Sequence, residues 1–121
     1  MAHILVVEDT LDNREVAELI LRDAGYTVLS ATDGPSGIAA ATITQPDLIL
    51  MDLSLPRLDG WEATRRLKAD PATRDIPVIA FTAHVLQDDE ARAREVGCAA
   101  VIAKPFEIDA LLDQIAAFLD Q

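Results

Sequence analysis

One cysteine, Cys98, is all the thiol this 121-residue chain contains, so no intrachain disulfide can staple it. Basic residues are scarce: 10 Lys and Arg stand against 21 Asp and Glu, a net charge of −11 with His neutral. That balance excludes sequence-independent binding to nucleic acid, where each phosphate contact needs a cation, and disfavours anionic membrane surfaces. No apolar run approaches the ~20 residues of a membrane span. Met1 to Val7 has neither the basic start nor the long apolar core of a secretory leader, so the expected location is cytoplasmic. Serine- or glycine-rich linkers, charge blocks, internal repeats and low-complexity stretches are also lacking. With 50% apolar residues, the expectation is one domain over 1–121 with no output domain after it.

What is present is a recurring pattern. Five short apolar runs, Ile4 to Val7, Thr27 to Ala31, Leu48 to Met51, Val78 to Phe81 and Ala100 to Ala103, are continuous rather than alternating, as strands buried on both faces of a parallel sheet require. Between them lie segments of helical period. Asp12 and Glu15 have capping-box spacing, Val16, Leu19 and Ile20 mark one stripe, and Gly25 suits a left-handed terminus. Pro35 suits the opening turn of a second helix that fades before Pro46. Asp59 and Glu62 repeat the cap spacing ahead of a third helix that stops before Pro71. A fourth starts near Gln87 and ends at Gly97, and the fifth carries Ile108, Leu111, Leu112, Ile115, Phe118 and Leu119 on one face. Alternating strands and helices with right-handed crossovers give a doubly wound, three-layer α/β fold, in which ligands bind at the carboxyl ends of the strands.

The residues at those ends are informative. Strand one runs into Glu8 and Asp9, strand three into Asp52, strand four into Thr82, and strand five into Lys104 and Pro105. Clustered carboxylates repel one another unless a cation joins them, and an oxygen-only donor set suits Mg²⁺. Nothing favours zinc, since His3, His84 and Cys98 stand apart in sequence. A divalent ion, an amine and a hydroxyl are what a phosphoryl group in transfer needs, and a carboxylate that attacks phosphorus becomes an acyl phosphate. Asp52, Lys104 and Thr82 fit those roles. Taken singly, each has a plainer use: Glu8 and Asp9 as caps of the first helix, Lys104 as a solvated lysine, Thr82 as a strand-end hydroxyl, His84 as a loop residue, Cys98 as a core filler and Trp61 as packing for the third helix.

Together, Glu8-Asp9, Ile49 to Asp52, Leu55 to Gly60, Thr82-Ala83 and Lys104-Pro105 resemble the receiver domain of bacterial two-component response regulators, most closely single-domain chemotaxis and cell-division regulators. The resemblance implies a flavodoxin-like five-stranded sheet of order 2-1-3-4-5. It makes Asp52 the phosphorylation site, fed by a phosphohistidine of a sensor kinase or phosphotransfer protein. Asp9, Asp52 and the Ser54 carbonyl would hold Mg²⁺, with Glu8 acting through water; Lys104 would pair with the acceptor, Thr82 would turn toward the phosphoryl group, and the Lys104–Pro105 peptide would be cis. It further implies a monomer or weak dimer that signals to a protein partner through helix four, strand five and helix five, catalysing only its own phosphorylation and dephosphorylation.

Two positions depart from the family's pattern. Val101 stands where an aromatic rotor is common, and Ser54 and His84 flank the phosphoryl mouth. Other readings are an adaptor of the same fold that has lost the chemistry, and an aspartyl-intermediate phosphatase, which would want an acid where Ser54 stands. A flavin protein is disfavoured by the acidic loop after strand one.

Overall fold

The branched apolar runs pair into a single sheet: Ile4 to Val7, Leu48 to Met51 and Val78 to Phe81 are buried on both faces and find their hydrogen bonds in neighbouring strands, whereas Thr27 to Ala31 and Ala100 to Ala103, expected to be buried alike, are only partly so because they lie at the sheet's edges. In the computed structural model, which describes residues 2–55, 57–82, 89–103 and 107–119, the strands are β1 (His3–Val7), β2 (Thr27–Ala31), β3 (Leu48–Asp52), β4 (Val78–Thr82) and β5 (Ala100–Ala103). They are parallel, in the order β2-β1-β3-β4-β5, with Val7 opposite Met51 and Asp52 opposite Phe81. The helices are α1 (Leu11–Asp23), α2 (Gly34–Thr44), α3 (Gly60–Ala69), α4 (Asp89–Val96) and α5 (Ile108–Leu119). Two apolar clusters lie on the two faces of the sheet. One joins Leu5, Val7, Ile49 and Met51 to Ala41, Ala63 and Leu67; the other joins Ile4, Val6, Leu50 and Phe81 to Ala17, Leu21, Leu111 and Ile115. The doubly wound, three-layer expectation is therefore met. No helix among the described residues is long and apolar enough to cross a membrane.

Most helix ends follow their punctuation. Asp33 caps α2 by accepting from the Ser36 amide at 2.8 Å, Pro35 lies in the first turn, and Gln45 closes the helix in a left-handed conformation. Asp59 caps α3 through the Glu62 amide at 2.9 Å. Gly25 and Gly97 take positive φ after α1 and α4. The predicted start of the fourth helix near Gln87 lies outside the described residues.

Helix α1 corrects the sequence reading. Its N-cap is Thr10, whose side chain makes no capping bond, so Asp12 and Glu15 form no capping box and lie within the helix. Its buried positions are Ala17 and Leu21, with Ile20 partly packed, whereas Val16 is 53% and Leu19 71% exposed. Spacing alone selected the wider, greasier stripe; the sheet takes the stripe that holds a small residue and lets the helix approach. Ile108 likewise stands out from its predicted face, 52% exposed in the first turn of α5.

Gly60 is where α3 meets the sheet. A Cβ there would fall 2.7 Å from the Leu53 Cα and collide with the Asp52 carbonyl, both of them backbone that cannot swing away. Gly60→Ala should therefore cost on the order of 3 kcal/mol, read as a lower urea midpoint with an unchanged slope. A change below about 0.5 kcal/mol would contradict this packing.

Candidate functional site

The register of β1 on β3 carries Glu8 and Asp52 to neighbouring strand ends, since each follows one half of the Val7–Met51 pair. Glu8 and Asp52 are buried and Asp9 is exposed, and the three carboxylates offer oxygens that lie within 4.8 Å of one another. Thr82, buried at the end of β4, comes one residue beyond the Asp52–Phe81 pair. The Ser54 amide donates to Asp52 Oδ1 at 3.0 Å and fixes the carboxylate. Backbone bonds do the same for the chain beyond it: the Leu53 amide donates to the Phe81 carbonyl at 3.1 Å, and the Leu53 carbonyl accepts from Gly60 at 3.2 Å. The sequence-predicted Glu8, Asp9, Asp52, Ser54 and Thr82 are thus gathered at one end of the sheet. Lys104, Pro105 and His84 lie outside the described residues.

The donor set fits a hard divalent ion. All three side-chain donors are carboxylates, and one of them faces solvent, leaving room for waters or phosphate oxygens. The softer donors lie elsewhere: His3 at the opposite end of β1, and Cys98 buried between α4 and β5. Val101, at the place of the missing aromatic, pairs with Ala80 and packs half-buried on the first cluster. With Ala93, Arg94, Cys98 and Gln114 it lines a depression of about 230 Å³.

Three contacts around the site were not foreseen from the sequence. Arg14 in α1 reaches back to donate to the Glu8 carbonyl at 3.0 Å. Arg57, itself at positive φ, pairs with Asp33 at 3.5 Å and ties the loop after β3 to the start of α2. The Ser36 hydroxyl and amide, aided by Arg57, hold the Asp33 carboxyl below its ordinary range. Arg92 stacks over Trp61 at 4.3 Å from the ring centroid, joining α4 to α3. The Arg14 contact alone had a readable signal, an arginine one turn past Thr10 on the helix that leaves the acidic loop.

Comparison with known proteins agrees with this arrangement. Residues 4–116 match the response regulator receiver domain family. The chain belongs to that family. The polar-differentiation response regulator DivK of Brucella anthropi is 37% identical over 116 residues, 96% of this chain and 94% of that protein. A receiver domain of the sensor histidine kinase PA1611 from Pseudomonas aeruginosa, solved with a magnesium ion coordinated in its active-site cleft, is 38% identical with a TM-score of 0.92, covering 99% of this chain and 98% of that one. The chemotaxis protein CheY4 of Vibrio cholerae is 27% identical with a TM-score of 0.92 over 98% of both chains. The flavodoxin-like order 2-1-3-4-5 is thus the receiver arrangement.

In this receiver domain, three carboxyl groups share one strand-end crevice, two of them buried, and they converge only in the folded state. Mg²⁺ at about ten times its dissociation constant should stabilise the natural sequence by about 1.4 kcal/mol and Asp52→Asn by much less. Equal Mg²⁺ increments in the two proteins would dissociate the ion from this cluster.

The buried thiol makes a separate prediction. Burial pushes Cys98 above the ordinary thiol value of 9.0, partly offset by the Thr64 hydroxyl and Lys68. The folded state then holds its proton longer than the unfolded chain, so the thiol's contribution is intact below that value and shrinks as pH rises through it. Relative to Cys98→Ala, the natural sequence should lose urea stability between about pH 8 and pH 10. A pH-independent difference would refute the shift.

Proposed function

We propose that this receiver domain takes a phosphoryl group on Asp52 from a phosphohistidine of a sensor kinase or phosphotransfer protein. The observation that carries this reading is the convergence of Glu8, Asp9 and Asp52 within 4.8 Å, with Asp52 buried at the end of β3 and braced by the Ser54 amide. The magnesium seen in the PA1611 receiver supports the choice of ion. Glu8, Asp9, Asp52 and the Ser54 carbonyl would hold Mg²⁺, which supplies charge neutralisation for the phosphoryl oxygens.

The Asp52 carboxylate attacks phosphorus in line, the new O–P bond forms as the P–N bond breaks, and the departing imidazole keeps the electron pair and takes a proton from solvent. Thr82, one residue beyond the Asp52–Phe81 pair on the neighbouring strand, would turn its hydroxyl toward the acyl phosphate, and Lys104, which follows Ala103 in the sequence, would supply the matching cation. With Val101 in β5, no aromatic rotor carries the signal. It passes through Thr82, the loop after β4 and the backbone of β5 to the surface formed by α4, β5 and α5, where a protein partner in the cytoplasm reads it. Phosphorylation and its reversal, with His84 and Ser54 setting water's access to the acyl phosphate, are the only chemistry the domain performs. An acidic chain of net charge −11 has neither nucleic acid nor membrane as its target.

Acetyl phosphate with Mg²⁺ should label the natural sequence at a hydroxylamine-labile site, and Asp52→Asn should abolish that label. Labelling of Asp52→Asn at undiminished rate would move the acceptor elsewhere. No labelling of the natural sequence, together with no Mg²⁺-dependent stabilisation, would instead make the domain an adaptor.

A further inference from the structure

Resting on the magnesium reading above, we infer that Arg14 is a positioning residue for the metal ligands, a clamp on the peptide that joins Glu8 to Asp9. That peptide carries two of the three carboxylates on its flanks. Its N-terminal side is held by the sheet, since the Glu8 amide donates to the Ala31 carbonyl at 3.0 Å. Its other side has left β1, and there the Glu8 carbonyl accepts from the Arg14 guanidinium at 3.0 Å. Arg14 is itself seated in the first turn of α1, its amide bonded to the Thr10 carbonyl at 2.9 Å and its side chain only partly exposed. The turn from β1 to α1 is thereby closed at both ends. Thr10 provides no side-chain cap of its own, so the entry to α1 lacks the bond that would otherwise fix it.

The two things an arginine can do here have opposite signs. As a cation near an acidic cluster, it competes with a bound divalent ion, and removing it should tighten Mg²⁺ binding. As a clamp, it holds carboxylates where they converge, and removing it should weaken binding, as loss of groups that orient metal ligands commonly does. The bond to a carbonyl rather than to a carboxylate favours the clamp, because it fixes the backbone and takes up no carboxylate oxygen that the metal would use.

The experiment is calorimetric titration with Mg²⁺ at fixed ionic strength of the natural sequence, Arg14→Met, Arg14→Lys and Asp52→Asn, each checked for a cooperative melt in EDTA. Arg14→Met should raise the dissociation constant about tenfold. Arg14→Lys, which keeps a donor and the charge, should recover most of that loss. In acetyl phosphate labelling, the Mg²⁺ concentration for half-maximal rate should rise in Arg14→Met while the rate at saturating Mg²⁺ stays within about twofold of the natural sequence. Tighter or unchanged Mg²⁺ binding by Arg14→Met overturns the clamp. So does weakening that Arg14→Lys fails to relieve while both variants melt cooperatively. If Arg14→Met does not fold, the proposal is judged on Arg14→Lys, whose dissociation constant must stay within about threefold of the natural value. Failure of the natural sequence to bind Mg²⁺, or binding as tight by Asp52→Asn, removes the magnesium reading itself and the clamp with it.

Discussion

Like charge held together by parallel strands is the constraint on which the rest of this molecule depends. The central strand β1 lies beside β3 in a register that leaves Glu8 and Asp52 no choice but to emerge side by side, and Asp9 follows on the same turn. Ile4 to Val7 and Leu48 to Met51, apolar and buried on both faces, can be shifted relative to one another only by sacrificing ladder hydrogen bonds and core packing together. Repulsion among three carboxylates is small against that, so the sheet can impose it. The register thereby gathers three carboxyl groups at one end of the sheet, a donor set that fits a hard divalent ion.

The surrounding contacts fix the chain around that cluster. Leu53, next to Asp52, has both of its backbone groups committed, to β4 on one side and to α3 on the other. Asp33 and Arg57 bind the neighbouring loops to each other, and Trp61 under Arg92 joins the next pair of helices. Asp52 therefore sits beside backbone that is hydrogen-bonded in two directions.

The sequence carried the architecture and the cluster for a physical reason. Buried parallel strands are written as uninterrupted branched runs, and residues such as Asp52 and Thr82 stand out because they end such runs. The same directness applied to Asp33, Asp59, Gly25 and Gly97, whose roles are local and depend on the neighbouring few residues. It did not apply to α1. Whether Val16 and Leu19 or Ala17 and Leu21 face the sheet depends on how closely that helix can approach, which periodicity does not encode. Nor did it apply to Arg57 and Arg92, long side chains on the surface whose partners are set by the completed fold.

The placement of the acidic cluster along the chain also bears on how the protein is made. All three carboxylates, and the three strands β2, β1 and β3 that gather them, belong to the first 52 residues. Synthesis proceeds from the amino terminus, and the early part of a chain can begin to fold while the later part is still being translated. The half of the sheet that leaves the ribosome first is thus the half that carries the acidic cluster, made before β4.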